Sequence, residues 1–279
     1  MKSPRYLLLL VTVAIVLAGV LASGCDDDEA EATTLPSATI TARDYSFDAP
    51  DTIAGGRVAF NFQNEGQEEH HAQFVRLNDG VTVEQLVAAL PQGEEVLLSM
   101  TTIASGPGAT DPGGESEIIL DLTEGSYLML CFIASEDGVP HLAKGMLRPF
   151  QVSGGAAEAS PLDLDGEVVL SDFSIAMPEV EAGEQIFRVT NNGPLPHEVV
   201  LMKLVEGSTL ADVQAFVQGA AGPPPSILLG GTSGIAPDGR AWVRFDMTPG
   251  TYVAICFIPD PPSGKSHFQL GMLSTFTVD

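Results

Sequence analysis

The sequence predicts an all-β chain of two tandem domains, each a sandwich or Greek-key barrel of short strands with one short helix. Three observations carry that reading. The second half repeats the first, apolar residues alternate with polar ones between turn residues, and 29 Gly with 20 Pro in 279 residues leave little room for long helices.

The N-terminus has Lys2 and Arg5, an apolar run from Tyr6 to Ala22, and then Ser23-Gly24-Cys25. A basic head, a short apolar core and small residues before a cleavage point describe a secretory leader. LASGC resembles a bacterial lipobox, which implies lipidation of Cys25 as the mature N-terminus. An uncleaved anchor is the alternative, since about 17 apolar residues can just span a bilayer. Either way the rest of the chain is expected outside the cytoplasm, anchored to the cell membrane. Residues 25–37 (DDDEAEATTLPS after Cys25) are acidic with almost nothing to bury, and read as a flexible tether.

The repeat begins beyond the tether. Arg43-Asp44-Tyr45-Ser46-Phe47 is echoed by Ser171-Asp172-Phe173-Ser174-Ile175, and the stretch from Ala54 lies over that from Ala182. VTVEQLVAAL matches STLADVQAFV, TEGSYLMLCF matches TPGTYVAICF, and HLAKGMLRPFQV matches HFQLGMLSTFTV. A repeat of about 115–120 residues is far longer than a solenoid unit of ~20–50. Each copy is therefore read as a domain: residues 38–153 and 163–279, joined by a short linker at 154–162. In the second copy Val243, Phe245 and Met247 alternate with Trp242, Arg244 and Asp246, a strand pattern. The helical pattern is Thr209 to Val217, with Ser208 or Thr209 as N-cap and Leu210, Val213 and Phe216 on one face. Roughly six to eight short strands with one helix per copy argue for a β-sandwich or Greek-key barrel.

With 12 Lys and Arg against 37 Asp and Glu, the formal charge is −25. That excludes electrostatic capture of nucleic acid or of an anionic bilayer. The same charge can steer a basic redox partner or serve solubility.

The chain has three Cys and five His, and the repeat accounts for nearly all of them. His197 follows an Asn-Asn-Gly turn, Cys256 ends a strand, and His267 and Met272 precede the last strand. His70, Cys131, His141 and Met146 hold the matching places in the first copy. His71 is the neighbour of His70 and competes with it, although the register favours His70, because adjacent strand residues face opposite ways. A thiolate, two imidazoles and a thioether are the donors of a mononuclear blue-copper site. A disulfide between Cys131 and Cys256, or an apolar packing role for either, is the structural alternative. Copper is preferred to zinc for the softness of the donors and the affinity order.

These residues carry a resemblance. NEGQEEHH and NNGPLPHE, the GxYxxxC strands, and His-x3-Gly-Met before a final Phe-x-Val strand are similar to the cupredoxins, the family of plastocyanin, azurin and auracyanin. The resemblance covers both copies. It implies two Greek-key β-sandwiches, each with a type 1 copper site. His197, Cys256, His267 and Met272 would be ligands in the second, and His70, Cys131, His141 and Met146 in the first. One departure is the long spacer: nine residues separate Cys131 from His141 and ten separate Cys256 from His267, where small cupredoxins have two to four.

The function expected is a membrane-tethered, extracytoplasmic carrier of single electrons that transforms no substrate. Copper enzymes built from two such domains use His-Cys-His pairs, where this chain has Leu130-Cys131-Phe132 and Ile255-Cys256-Phe257. A copper-delivery lipoprotein without redox turnover, or a metal-free binding module, is the alternative.

Overall fold

The computed structural model of the chain describes residues 35–154 and 161–279. The leader, the lipobox with Cys25, most of the tether and most of the linker lie outside the described residues. Among the described residues no helix is long and apolar enough to cross a membrane.

In the first half the strands are β1 (Ser37–Arg43), β2 (Ser46–Asp48), β3 (Thr52–Ala54), β4 (Gly56–Asn64) and β5 (Gln73–Leu77). Helices α1 (Val83–Ala89) and α2 (Glu94–Met100) follow, and then β6 (Thr101–Ile103), β7 (Glu115–Leu122), β8 (Gly125–Leu130) and β9 (Leu147–Ser153). The second half has β10 (Gly166–Ser171), β11 (Ser174–Ala176), β12 (Gly183–Asn191), β13 (His197–Leu204) and α3 (Leu210–Val217). It closes with β14 (Ser226–Ile235), β15 (Arg240–Met247), β16 (Gly250–Ile255) and β17 (Leu273–Val278). The chain is all-β with short helices.

The two helices that the repeat predicts both form, and for the same reason. Thr82 and Thr209 cap α1 and α3 in capping boxes closed by Gln85 and Asp212. Helix α2 is an addition of the first half. Its counterpart stretch, Gly219 to Pro225, is rich in Gly and Pro and cannot continue a helix.

The two halves are joined through a sheet. Four strands from each half make one eight-stranded sheet in the order β11-β10-β12-β15-β7-β4-β1-β2. The junction is the antiparallel pair β15–β7, with Trp242, Val243 and Arg244 opposite Ile119, Ile118 and Glu117. Arg244 spans it, with Nε 2.8 Å from Glu117 and an Nη 2.9 Å from Glu184. Against this shared sheet each half packs its own second sheet: β3-β9-β8-β5-β6 in the first and β14-β13-β16-β17 in the second.

This junction modifies the alternation read from β15. Val243 and Met247 are buried in the sandwich as the pattern requires, but Trp242 is buried too. Its face of the shared sheet is covered by Ala59, Ile119, Ile186, Leu35, Leu162 and Leu164.

Candidate metal centres

Each centre is assembled from three stretches of chain, and the same local chemistry builds it twice. In TEGSY and TPGTY the Tyr127 and Tyr252 hydroxyls donate back to the carbonyls of Thr123 and Thr248, at 2.8 and 2.6 Å. This anchors the starts of β8 and β16. Those strands then run through the core and end at Cys131 and Cys256, both fully buried free thiols. They are not paired with each other in a disulfide.

The first imidazole of each centre comes from an Asn-x-Gly turn. Asn64 Nδ2 donates to the carbonyls of Glu68 and Thr110, and its Oδ1 accepts from the Gly66 amide. Asn191 repeats the pattern with Leu195, Ile235 and Gly193. The closed turn delivers His70 and His197 inward. It also needs its glycine: a Cβ on Gly66 would lie 2.6 Å from His70 Nε2, and one on Gly193 2.7 Å from His197 Nε2.

The second imidazole and the thioether sit on the return loop. His141 and His267 each open a 3-10 turn that ends at a left-handed glycine, Gly145 or Gly271. The amides of Met146 and Met272 donate to the carbonyls of these histidines, at 2.9 Å in both halves. The amides of Leu142 and Phe268 donate to the carbonyls of Cys131 and Cys256. Both long spacers are accommodated by this ladder. They leave as excursions closed by the bridges Ala134–Pro140 and Pro259–Ser266, so cysteine and histidine stay side by side.

The donor atoms converge in both halves. His70 Nδ1 is 3.0 Å from His141 Nδ1, and Cys131 Sγ is 3.4 Å from His141 Nδ1. His197 Nδ1 is 3.0 Å from His267 Nδ1, and Cys256 Sγ is 3.4 Å from His267 Nδ1. All six residues are fully buried, as are Met146 and Met272. Nitrogens about 2.0 Å and a sulfur about 2.3 Å from one ion are, at tetrahedral angles, about 3.3 Å (N to N) and about 3.5 Å (N to S) apart, within a few tenths of an ångström of these distances. The spacing therefore suits a single ion in each half.

Proton positions make the same point. His70 Nε2 is 2.8 Å from Asp44 Oδ1, and His141 Nε2 is 3.0 Å from Glu68 Oε2. Hydrogen bonding to Tyr45, then to Ser135 and His141, takes the Glu68 carboxyl down to about 2. Burial works against Asp44, but hydrogen bonds from His70 and the Gln67 and Glu68 amides hold it below its usual range. Carboxylates only accept, so both Nε2 atoms carry the proton and both Nδ1 atoms offer lone pairs to the same point. Burial pushes the Cys131 thiol up to about 11, and raises that of Cys256 as well. A metal cation would both satisfy the facing lone pairs and deprotonate the sulfur.

His71 is not part of this cluster. Its Nε2 accepts from the Phe132 amide at 2.9 Å, and at the matching place Glu198 Oε1 accepts from the Phe257 amide at 2.9 Å. These paired contacts tie the residue after the histidine to the residue after the cysteine. The contacts of Asp44, Asp172, Glu68, Gly66 and Gly193 are absent from the ligand reading of the sequence. The repetition of Asp and of Asn-x-Gly in both copies is the signal that points to four of them. Between the halves lies a cavity of about 690 Å³, bordered by His71 and Phe132 on one side and by Glu198, Phe257 and His267 on the other.

No protein-family model matches the chain, and no curated protein matches it. Among solved structures, a dithionite-reduced auracyanin from the photosynthetic bacterium Roseiflexus castenholzii is 19% identical, aligned over 41% of this chain and 95% of its own, with a TM-score of 0.31. A multicopper oxidase is 17% identical over 88% of this chain and 89% of its own, with a TM-score of 0.27. A copper-containing nitrite reductase from Thermus scotoductus is 12% identical over 88% of this chain and 62% of its own, with a TM-score of 0.26. The two clusters of His, Cys and His, one in each half, fit copper sites by the chemistry of their donors.

Proposed function

We propose that the chain carries single electrons through two mononuclear copper centres. His70, Cys131, His141 and Met146 hold one, and His197, Cys256, His267 and Met272 hold the other. One observation supports this above all: a thiol and two imidazoles converge with the same distances in both halves, fully buried. Copper supplies a one-electron couple at such a donor set. The protein holds the donors on strands and tight turns so that little rearrangement accompanies the change of charge. Burial keeps water from the ion, and Asp44 and Asp172 fix the orientation of His70 and His197. We further propose that a lipid on Cys25 tethers the protein to the outer face of the cell membrane, and that its acidic surface meets a basic redox partner.

The test is copper loading of the full chain. Two equivalents bind and give an intense visible Cys-to-Cu(II) charge-transfer band. Cys131→Ser and Cys256→Ser each remove about half of it, and the double variant removes all of it. Uptake of Cu(I) without a coloured oxidised form supports copper delivery instead, and no uptake of either ion leaves a metal-free binding module.

A second reading, an enzyme acting on a small apolar molecule, is favoured by the cavity, which reaches His267 of the second centre and the ligand neighbours His71 and Phe132 of the first. Steady turnover of phenolic or other small reductants under air by the copper-loaded chain selects it. Reduction that stops after two electrons per chain selects the carrier.

A further inference from the structure

The two centres match in the distance between imidazole nitrogens and in that from sulfur to the return-loop histidine, yet they differ on one side. In the first half the outer nitrogen of the return-loop histidine, His141 Nε2, donates to Glu68 Oε2 at 3.0 Å. Glu68 Oε1 in turn accepts from the Tyr45 hydroxyl at 2.6 Å. Lys144 Nζ lies 3.4 Å from that hydroxyl and 3.0 Å from Asp137 Oδ2. A polar chain therefore runs from the histidine to the surface. The second copy has Leu195, Phe173 and Leu270 at the positions of Glu68, Tyr45 and Lys144. There His267 Nε2 is buried without a hydrogen-bond partner among the described residues, and the Phe173 ring packs 5.1 Å from the imidazole. The carboxylate on the other histidine is shared: Asp44 lies 2.8 Å from His70 Nε2 and Asp172 lies 2.7 Å from His197 Nε2.

We infer that the two centres are a graded pair, with the first half at the lower reduction potential and the second at the higher, and that Glu68 sets the order. This rests on the reading that both halves hold copper. A carboxylate bonded to a ligating imidazole makes it a stronger donor and puts a fixed negative charge near the ion, and both effects favour the more highly charged oxidised state. Apolar walls around His267 favour the less charged reduced state. At equilibrium a single electron then rests mainly on the second half.

Two acidic groups of the second half act against this order. Glu198 bonds the Phe257 amide beside Cys256, and Asp260 is turned to its own loop through Ser263. Among the described hydrogen bonds, neither reaches an imidazole nitrogen as Glu68 does. Contact through the ligand itself outweighs charge at a distance, because such second-shell bonds change the ligand's own basicity.

Redox titration of the copper-loaded full chain, followed by its visible band, tests the inference. Metal analysis fixes the loading at two per chain, and Cys131→Ser and Cys256→Ser assign each wave to its half. Two one-electron waves are expected, at least tenfold apart in equilibrium constant (about 59 mV), with the lower one lost in Cys131→Ser. Glu68→Gln, which keeps the shape of the side chain, should raise the lower wave and leave the upper one in place. Leu195→Glu with Phe173→Tyr should lower the upper wave. The order should survive in Glu198→Gln. A single wave at full loading, a lower wave belonging to Cys256, or a lower wave indifferent to Glu68→Gln overturns the inference while leaving the copper reading intact. Failure to load copper or to show the band overturns the copper reading instead, and this inference falls with it.

Discussion

The Nδ1 atoms of His70 and His141 face each other at 3.0 Å, and neither has a proton to give the other. The cause lies on the far side of each ring, where Asp44 and Glu68 hold the protons on Nε2. Removing one of these carboxylates frees a ring to change tautomer and to turn. Asp44→Asn should weaken copper binding in the first half by about 10–100-fold and leave the second half unchanged. Asp172→Asn should do the reverse, through His197. Competition titration with a chelator, read at each half in a background lacking the other cysteine, checks both. Equal weakening of the two halves by either variant would contradict the local account.

The turn glycines permit no side chain. In Gly193→Ala the new methyl would meet both His197 Nε2 and Asp172 Oδ1, at 2.7 and 2.6 Å, so one of the two must move. Overpacking of this kind costs about 1–3 kcal/mol. The second-half copper band should be lost or strongly weakened, with a matching fall in the denaturation midpoint of the metal-free protein. Gly207→Ala is the control, because nothing lies within 4 Å of its added Cβ. Its left-handed backbone costs some stability, but its copper band should be intact.

The extent to which the sequence anticipates this site depends on what the two copies share. Cysteine, both histidines and methionine recur in register, and strand endings and turn residues place them at matching points, so the donor set is legible. Asp44 and Asp172 recur just as faithfully, but a partner for the second nitrogen of a ring is visible only once the chain is folded. Glu68 is illegible for the opposite reason: the second copy has leucine there, and comparison of the copies discards it. The pairing of β15 with β7 has no local signature either. Trp242 reads as the outward residue of an alternating strand, and only the shared sheet gives it cover on that face.

Buried Glu198 and half-buried His71, each beside a ligand, set opposite pH limits on the metal-free protein. Burial pushes the Glu198 carboxyl up to about 7, so the folded chain keeps a proton that the unfolded chain releases near 4.5. Its contribution falls as pH rises from about 4.5 to about 7, by about 3 kcal/mol at ~1.4 kcal/mol per unit. Burial takes the His71 imidazole down to about 3, so the unfolded chain binds a proton below 6.5 that the folded chain refuses. Its contribution falls as pH drops from 6.5 towards 3. Denaturation midpoints measured across this range should lose their alkaline-side decline in Glu198→Gln and part of their acid-side decline in His71→Gln. An unchanged slope in Glu198→Gln would mean that this carboxyl ionises freely.

Trp242 is the only tryptophan in the chain, and it sits at the junction of the halves. It is 5% exposed, packs with Ala59 and Ile119 of the first half, and has the Arg57 guanidinium 4.3 Å over its ring. Its fluorescence therefore reports the shared sheet, whereas far-UV circular dichroism reports all strands. Because β15 cannot leave β7 without exposing this cluster, the two signals should fall together in urea. Trp242→Ala should cost about 3–5 kcal/mol, the range for removing a large buried aromatic ring. That loss should lower the thermal stability of both copper centres rather than of the second alone. Fluorescence that changes well before the circular dichroism, or a Trp242→Ala variant whose first-half copper band melts as in the unaltered protein, would mean that the halves hold together without this pairing.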